Sequence, residues 1–334
     1  MKKAFFINGG IGRVLCAIPA LEWYKQHTDP DVVIVAEGWS ELFLISPLLR
    51  NNIFPVGHKG LFEEKLRDKD IITPEPYRLN AYFNQKCNLI QAFDMLINDL
   101  KDVPAPKELN VEINKVDQLH GHTLVNQVKQ QLGREKVVVF QPFGSGVKKE
   151  GDVIIDSSGR SFEVQDILKI IEKLNTHYAV ILMTEIDIST NVQIGVAVPQ
   201  ANLLQWMGII NAADYFIGCD SVGQHYAHAV DTPATIVLGS TFPENISYPY
   251  NKKFTIIDNG KSSRVYAPIR ITMDYVSERI NENLMKLSDK TIDTVMQSVV
   301  DVLGKPETKT PVAPVPHVHG PGCSHQAPIS NKKK

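Results

Sequence analysis

The residues best suited to chemistry lie in one short stretch, 220–225, whose carboxylate, hydroxyl, glycine and imidazole come from Asp220, Ser221, Gly223 and His225. The stretch follows the apolar run Tyr215–Gly218, which is typical of a buried strand, and it begins a segment with helical spacing. Amide groups at such a helix start favour an anion, and an imidazole can donate to a phosphate or sugar oxygen. Singly, these residues could be an ordinary N-cap and a half-buried helix residue. Together, at the carboxyl end of a strand, they favour a ligand site.

Two glycine-rich turns follow other predicted strands and indicate further anion-binding amides. The first spans residues 8–13, Asn-Gly-Gly-Ile-Gly-Arg. The dinucleotide-binding fingerprint would require a small residue two places after this turn, where the chain has Leu15. The second spans residues 141–146, where Ser145 and the neighbouring amides could hold phosphate oxygens and Arg160 could add charge. The first turn could equally be a tight connection whose glycines supply backbone freedom. At the second turn, Arg160 could be a solvated cation at a helix start.

Around these turns, short aliphatic runs alternate with amphipathic segments, a pattern that favours parallel, doubly wound α/β sheets. We predict two such Rossmann-like domains, at 1–125 and 126–303, and the terminal helices of the second could pack back on the first. Strands of the first domain are predicted at 3–8, 32–36, 52–56 and 109–113, with helices at 14–27, 39–49 and 81–100. The proline-rich segment 304–334 cannot build a core and is predicted to be a disordered tail.

Composition limits the class of protein. The net charge is −2, which does not indicate nucleic acid or an anionic membrane as a partner. No apolar stretch is long enough for a membrane span, and the four cysteines have no framework spacing, so we expect a cytoplasmic protein. The tail carries four residues with side chains that can bind metals, but without a surrounding core only weak binding is expected: His317, His319, Cys323 and His325.

The order of these motifs resembles the ADP-heptose:lipopolysaccharide heptosyltransferases, glycosyltransferase family 9. The stretch 220–227, Asp-Ser-Val-Gly-Gln-His-Tyr-Ala, with 232–241 and Pro243 after it, is similar to that family's signature around its Asp-Thr-Gly and His-Leu-Ala. The segment 13–21 is similar to the family's opening motif, and 141–145 resembles its His-Pro-Gly-Ala loop.

The resemblance implies a GT-B architecture, in which two Rossmann-like domains face a cleft and the second holds a nucleotide-sugar donor. It implies no cofactor and no metal, and transfer with inversion at the sugar. The resemblance places the ribose at Glu185 and the nucleotide base near Gln200 and Ala201. The other implied donor-binding residues are Gly10, Gly12, Ser145, Gly146, Arg160, Asp220, Ser221, Gly223 and His225.

Two departures from the family pattern bear on catalysis. The family has an aspartate, as general base, where this chain has Arg13, and a guanidinium cannot take a proton at neutral pH. The glycine expected after Asp-Ser is Val222, with Gly223 one place later. Arg13 is therefore expected to stabilise charge, and the base must come from elsewhere. By position, Glu37 and His58 are candidates at the ends of the second and third predicted strands.

Three functions fit these motifs. The first is transfer of a sugar from a nucleotide-diphosphate sugar to a glycan or lipid-linked acceptor. The second is transfer to modified nucleic-acid bases, which the net charge of −2 disfavours because duplex binding uses many Lys and Arg side chains. The third is non-catalytic binding of a nucleotide-sugar, which Arg13 in place of the base favours.

Overall fold

The structure is a computed structural model, and it describes residues 2–151, 153–156, 158–186, 188, 196–265 and 283–305. The predicted disordered tail falls almost wholly outside these residues, as do its four candidate metal ligands. At its start, Gly304 is part of the folded structure, because the Tyr178 hydroxyl donates to the Gly304 carbonyl oxygen at 2.5 Å. None of the described helices combines the length and the apolar character needed to cross a membrane.

The first sheet has four parallel strands in the order β3-β2-β1-β4, with bounds β1 Lys2–Ile7, β2 Val33–Ala36, β3 Ile53–Pro55 and β4 Lys69–Ile72. The predicted strand at 109–113 is wrong, since that segment is irregular and the fourth strand is β4. Strand β4 pairs with β1 in a register that runs from Lys2↔Lys69 to Phe5↔Ile72. Its sequence, Lys-Asp-Ile-Ile, lacks the long apolar run of a central strand because it forms an edge of the sheet.

Three α-helices accompany the first sheet: α1 Ile11–His27, α2 Asn80–Phe83 and α3 Leu89–Ile97. A π-helical turn, Leu61–Leu66, precedes β4. The predicted helix at 39–49 is only the 3-10 turn Ser40–Ile45. The predicted helix at 81–100 is divided into α2 and α3, because Asn88 starts a new helix by forming a capping box with Gln91. Helix α1 packs against α3 and is buried along most of its length.

The second sheet has six parallel strands in the order β12-β11-β10-β5-β8-β9. In chain order the strands of this half are β5 Val137–Gln141, β6 Val147–Glu150, β7 Val153–Asp156, β8 Ala179–Leu182, β9 Val196–Ala197, β10 Tyr215–Gly218, β11 Ala234–Leu238 and β12 Phe254–Asp258. Strands β6 and β7 form a separate antiparallel hairpin. The sequence predicts neither this hairpin nor β9 and β12. Central strands β5 and β10 are buried at every position, in agreement with their uninterrupted apolar sequences.

Among its described residues, the second half has the helices α4 Lys115–Leu132, α5 Val164–Asn175, α6 Leu203–Ala212, α7 Val222–Ala229, α8 Pro243–Ile246 and α9 Asp289–Leu303. Helix α4 spans the predicted domain boundary at residue 125, and it packs along α6 and on β5 and β8. A Cβ atom at Gly121 would lie 2.1 Å from the carbonyl oxygen of Gly208. The two helix backbones are therefore in direct contact, and the boundary at 125 stays a prediction.

The two sheets meet through α1 and α7, which begin at the carboxyl ends of β1 and β10. A second contact joins α8 to the first half: the Asn245 side-chain amide donates to the carbonyl oxygens of Tyr82 at 2.9 Å and Cys87 at 3.0 Å. One apolar core extends from Phe5 and Phe93 to Phe216. The carboxyl edges of the two sheets thus face each other, the arrangement in which α/β sheets bind ligands.

Substitution of Gly121 tests the contact between α4 and α6. Gly121→Ala should lower the free energy of unfolding by about 1–3 kcal/mol, because the clash is with backbone and outweighs the gain of up to ~1 kcal/mol in helix propensity. Urea denaturation measures this change. Gly57→Ala is the matched control, since no atom lies within 4 Å of the added Cβ and the effect should stay within about 0.5 kcal/mol. Equal stability of the two variants would contradict the packing described.

Candidate functional site

Gln141, the last residue of β5, ties that strand to the start of α7. Its Nε2 donates to the Ser221 hydroxyl at 3.1 Å, and its Oε1 accepts from the Gly223 amide at 2.8 Å. A Cβ at Gly223 would lie 2.4 Å from Gln141 Oε1 and 2.4 Å from the ring of Phe216. Gly223 is therefore required by close packing, and its amide binds Gln141.

Asp156, the last residue of β7, organises the turn that carries Arg160. Its carboxylate accepts hydrogen bonds from the backbone amides of Ser158, Arg160 and Ser161 at 2.8, 3.2 and 2.9 Å, and from both serine hydroxyls. Burial acts to raise the pKa of Asp156, but the hydrogen bonds from Ser158 and Ser161 outweigh it, so the pKa is lowered. The carboxylate stays ionised and fixes the turn.

The Arg160 guanidinium joins the ends of β5 and β10. Its Nη2 donates to the Ser145 hydroxyl at 3.1 Å, its Nη1 donates to the backbone oxygen of Asp220 at 3.4 Å, and Nη1 lies 3.7 Å from the Asp220 carboxylate. The Arg160 side chain is 21% exposed, whereas that of Asp220 is 6% exposed. Burial raises the pKa of Asp220, and the guanidinium opposes that rise. The cluster therefore presents a fixed, partly open cation beside an exposed serine hydroxyl, a combination suited to phosphate.

His225 lies on the first turn of α7 and packs directly on the start of α1. A Cβ at Gly12 would lie 2.5 Å from His225 Cδ2 and 2.6 Å from Nε2. The Nδ1 atom is hydrogen-bonded to the Tyr248 hydroxyl at 2.6 Å. Burial lowers the pKa of His225 to about 3, with a smaller effect of His228, so the imidazole is neutral at physiological pH. His225 joins the two halves and brings no positive charge.

Arg13, next to Gly12, is enclosed in the first half. Its Nη1 donates to Glu75 Oε1 at 2.7 Å, and its Nη2 donates to the Pro74 carbonyl oxygen at 2.7 Å and to Glu75 Oε2 at 3.4 Å. The guanidinium carbon lies 5.3 Å from the centre of the Tyr77 ring and 5.5 Å from that of Phe93. The Arg13 side chain is 3% exposed and that of Glu75 is 24% exposed. The charge of Arg13 is thus already paired.

The sequence model of glycosyltransferase family 9 (heptosyltransferase) matches residues 181–266, the segment that contains the stretch 220–225. The resemblance to family 9 is confirmed. No curated protein sequence matches the chain.

Solved structures of two heptosyltransferases and of a family 9 glycosyltransferase share the fold. The chain superposes on the ADP-heptose lipopolysaccharide heptosyltransferase II of E. coli with a TM-score of 0.57 and 13% identity, over 91% of this chain and 98% of that one. A family 9 glycosyltransferase from Veillonella parvula gives a TM-score of 0.58 and 13% identity, over 90% and 97%. The E. coli heptosyltransferase WaaC with ADP gives 0.51 and 11%, over 90% and 99%. The fold is therefore GT-B, as predicted.

The structure brings most of the predicted donor-binding residues to one place within this fold. Ser145, Gly146 and Arg160 lie together, because a Cβ at Gly146 would come within 2.7 Å of Asp156 Oδ1 and within 2.9 Å of the Ser158 hydroxyl. Asp220 and Ser221 are on the adjacent strand end, bound to Arg160 and Gln141 respectively. Exposed Glu185 follows β8, which neighbours β5 at the same edge. Their contacts with a donor stay predictions.

The predicted residues of the first half are spread along its carboxyl edge. Gly10 is the exposed N-cap of α1, and no atom lies within 4 Å of where its Cβ would be. Glu37 and His58 are exposed and follow β2 and β3, and His58 packs edge-on against Phe54. Arg13 is not presented as a free cation, so its predicted role in charge stabilisation lacks support from the geometry.

Several organising residues were missed from the sequence: Gln141, Asp156, Ser161, Glu75 and Tyr248. A local signal existed for Asp156, because Asp followed by Ser-Ser-Gly is typical of turns in which a carboxylate binds nearby amides. Glu75 and Tyr248 reach their partners over long separations along the chain, and no local pattern indicates such contacts. Among the described residues, no three His, Cys, Asp or Glu side chains are grouped as a metal site requires.

The pH dependence of stability tests the burial of His225. An unfolded histidine has a pKa of 6.5, and that of His225 is lowered to about 3, so between these values only the unfolded state binds the proton. The free energy of unfolding should therefore fall as the pH decreases through this window, by up to about 1.4 kcal/mol per pH unit. His225→Asn should make the slope between pH 6.5 and 4 shallower in urea titrations. His58→Asn, which removes an exposed imidazole, should keep the wild-type slope, and parallel curves for His225→Asn and wild type would refute the burial.

Proposed function

We propose that the protein is a glycosyltransferase that moves a sugar from a nucleoside-diphosphate donor to a glycan or lipid-linked acceptor. The observation that carries the proposal is the cluster of Arg160, Ser145 and Asp220 at the carboxyl edge of the second sheet of a GT-B fold. The family 9 match over residues 181–266 supports the same reaction class. A binding protein without catalysis would need the same cluster, so turnover is what separates the two.

The donor diphosphate is proposed to bind Arg160 and Ser145, with the start of α7 beside them. The guanidinium is held by Ser158 Oγ at 3.0 Å and by Asp220, so its remaining donors keep a fixed direction. A planar guanidinium binds phosphate oxygens through paired hydrogen bonds, and the helix start adds a favourable dipole. These groups can neutralise the leaving diphosphate without a metal ion, which is the arrangement we propose.

We propose an ADP-sugar of the heptose type as the donor, because the similar E. coli heptosyltransferase WaaC has structures named with ADP and with ADP-2-deoxy-2-fluoro heptose. Glu185 would hold the ribose hydroxyls, since it is exposed one strand away from Ser145. The backbone near Gln200 and Ala201 would meet the base. Carboxylates accept hydrogen bonds from paired hydroxyls, so Glu185 suits that position.

The acceptor is proposed to bind the first domain, 1–125, while 126–303 holds the donor. A lipopolysaccharide-like acceptor is proposed from the name of the E. coli heptosyltransferase II. With donor and acceptor on facing edges, the acceptor hydroxyl can attack the anomeric carbon directly, from the side opposite to the diphosphate. A single displacement of this kind inverts the anomeric centre, and it requires a base for the hydroxyl proton.

Arg160→Met tests the donor site. Loss of hydrogen bonds to charged oxygens costs about 1.5–3 kcal/mol, so the ADP dissociation constant should rise roughly 10- to 150-fold in calorimetric titrations. Arg50→Met is the matched control, because Arg50 pairs with Glu112 in the first half and should leave ADP affinity unchanged. An unchanged dissociation constant in Arg160→Met, with a normal melting temperature, would move the diphosphate away from this cluster.

Metal removal tests the proposed charge neutralisation. If Arg160 and the helix start suffice, the ADP dissociation constant and the transfer rate should be the same in excess EDTA and in added Mg²⁺ or Mn²⁺. Calorimetry and ADP release from an ADP-sugar measure the two quantities. A tenfold or larger loss of either in EDTA, restored by a divalent cation, would show that a metal takes part.

A further inference from the structure

We propose that Glu75 is the base that takes the proton from the acceptor hydroxyl, and that Arg13 positions it. The inference rests on the transfer reaction proposed above, and it names a residue to which the sequence motifs assign no role. Four observations carry it: the position of Glu75 at the edge of the sheet, the way its carboxylate is held, its exposure, and the attachment of its segment to the second half.

Glu75 lies just beyond the carboxyl end of β4, beside the start of α1. Strand β4 is hydrogen-bonded to β1, so the segments that follow these two strands leave the sheet at the same edge. The carbonyl oxygen of Pro74 and both carboxylate oxygens of Glu75 bind Arg13, on the first turn of α1. The neighbouring Gly12 contacts His225 of α7. Glu75 is thus near the point where the two sheets meet.

The ion pair of Arg13 and Glu75 is asymmetric in a way that suits a base. The cation is enclosed, 3% exposed and packed between Tyr77 and Phe93, whereas the carboxylate is 24% exposed. A guanidinium held by rings and by a backbone carbonyl fixes the direction of the carboxylate it binds. Each carboxylate oxygen has a further lone pair, so an oxygen facing the open side can accept a proton from a substrate.

The segment that carries Glu75 reaches across to the second half. Tyr77, two residues on, packs edge-on against Tyr82, with ring centres 5.5 Å apart. The Asn245 side chain of α8 binds the Tyr82 carbonyl oxygen. The segment that carries Glu75 is therefore attached to the second half through Tyr82 and Asn245. It is also attached through Arg13, because the preceding residue, Gly12, contacts His225.

This placement gives a balanced reaction. The acceptor oxygen forms a bond to the anomeric carbon, and the bond from that carbon to the diphosphate oxygen breaks with its electron pair. The leaving nucleoside diphosphate takes the electrons next to Arg160, and the acceptor proton passes to a carboxylate oxygen of Glu75. The base follows a strand of the first sheet and the leaving-group site lies on the second sheet. A displacement from the far side requires that the two act from opposite sides of the anomeric carbon. Glu37 and His58 follow β2 and β3, on the other side of β1 from β4.

The test compares Glu75→Gln with wild type, using ADP-heptose as donor and truncated lipopolysaccharide as acceptor. Glu75→Gln keeps the shape of the side chain, so the ADP dissociation constant should change by less than about threefold while kcat falls roughly 100- to 10,000-fold. The acidic decline of kcat in the wild type should be lost in the variant. Glu75→Asp should keep that decline and part of the rate, and Glu37→Gln and His58→Asn should keep wild-type kcat and pH profile.

Arg13→Met separates positioning from catalysis. If Arg13 acts through Glu75, Arg13→Met should lower kcat less than Glu75→Gln, and the double variant should be no slower than Glu75→Gln alone. A kcat of Glu75→Gln within about threefold of wild type, or an acidic decline that persists in it, overturns the assignment of the base while the proposed transfer stands. No heptosyl transfer by a wild type that binds ADP normally overturns the proposed reaction and the base with it.

Discussion

The close approach of α1 and α7 at Gly12 is the constraint on which the rest of the molecule depends. No side chain fits at this position, because the His225 imidazole occupies the place of a Cβ. The contact sets the carboxyl ends of β1 and β10 against each other, and it requires an uncharged imidazole, which burial provides by lowering the pKa of His225 to about 3. Together with the hydrogen bonds from Asn245 to Tyr82 and Cys87, this contact fixes how the two edges lie relative to each other.

Two ion pairs lie near that contact, one on each sheet, and they differ in which partner is the more exposed. On the second sheet, the cation of the pair is the more open group: Arg160 is 21% exposed and Asp220 is 6% exposed. On the first sheet, the carboxylate is the more open group: Glu75 is 24% exposed and Arg13 is 3% exposed. In the transfer proposed above, the second sheet thus provides a partly exposed cation for the leaving diphosphate, and the first sheet provides a partly exposed carboxylate for the acceptor proton.

Sequence patterns predict the fold well where burial is continuous. Apart from Gln141 at the end of β5, strands β5 and β10 have no polar side chain except the Tyr215 hydroxyl. Their positions and the two-sheet architecture could be predicted because parallel strands buried on both faces have mostly apolar sequences. Strand β4 could not be predicted, because an edge strand tolerates charged residues such as Lys69 and Asp70 and so lacks an apolar run. The segment 109–113 alternates apolar and polar residues, as a strand does, but the structure shows that it is irregular.

The site could be predicted only in part, because local motifs indicate residues at strand ends but not contacts between distant segments. Motifs that combine a strand end with a glycine and a polar residue identified Ser145, Arg160 and Asp220, which the structure does bring into contact. The partners of Arg13 could not be found, because Glu75 is 62 residues away along the chain and its loop has no motif of its own. The sequence predicts that Gly223 binds the donor, whereas close packing against Gln141 and Phe216 is sufficient to require a glycine at this position.

The most direct measurement of the central claim is a crystal structure of the full chain with ADP. The account predicts the diphosphate within hydrogen-bond distance of the Arg160 guanidinium and the Ser145 hydroxyl, with the ribose toward Glu185 and the open side of Glu75 across the cleft. ADP bound elsewhere, with Arg160 still bonded only to Ser145, Ser158 and Asp220, would contradict it.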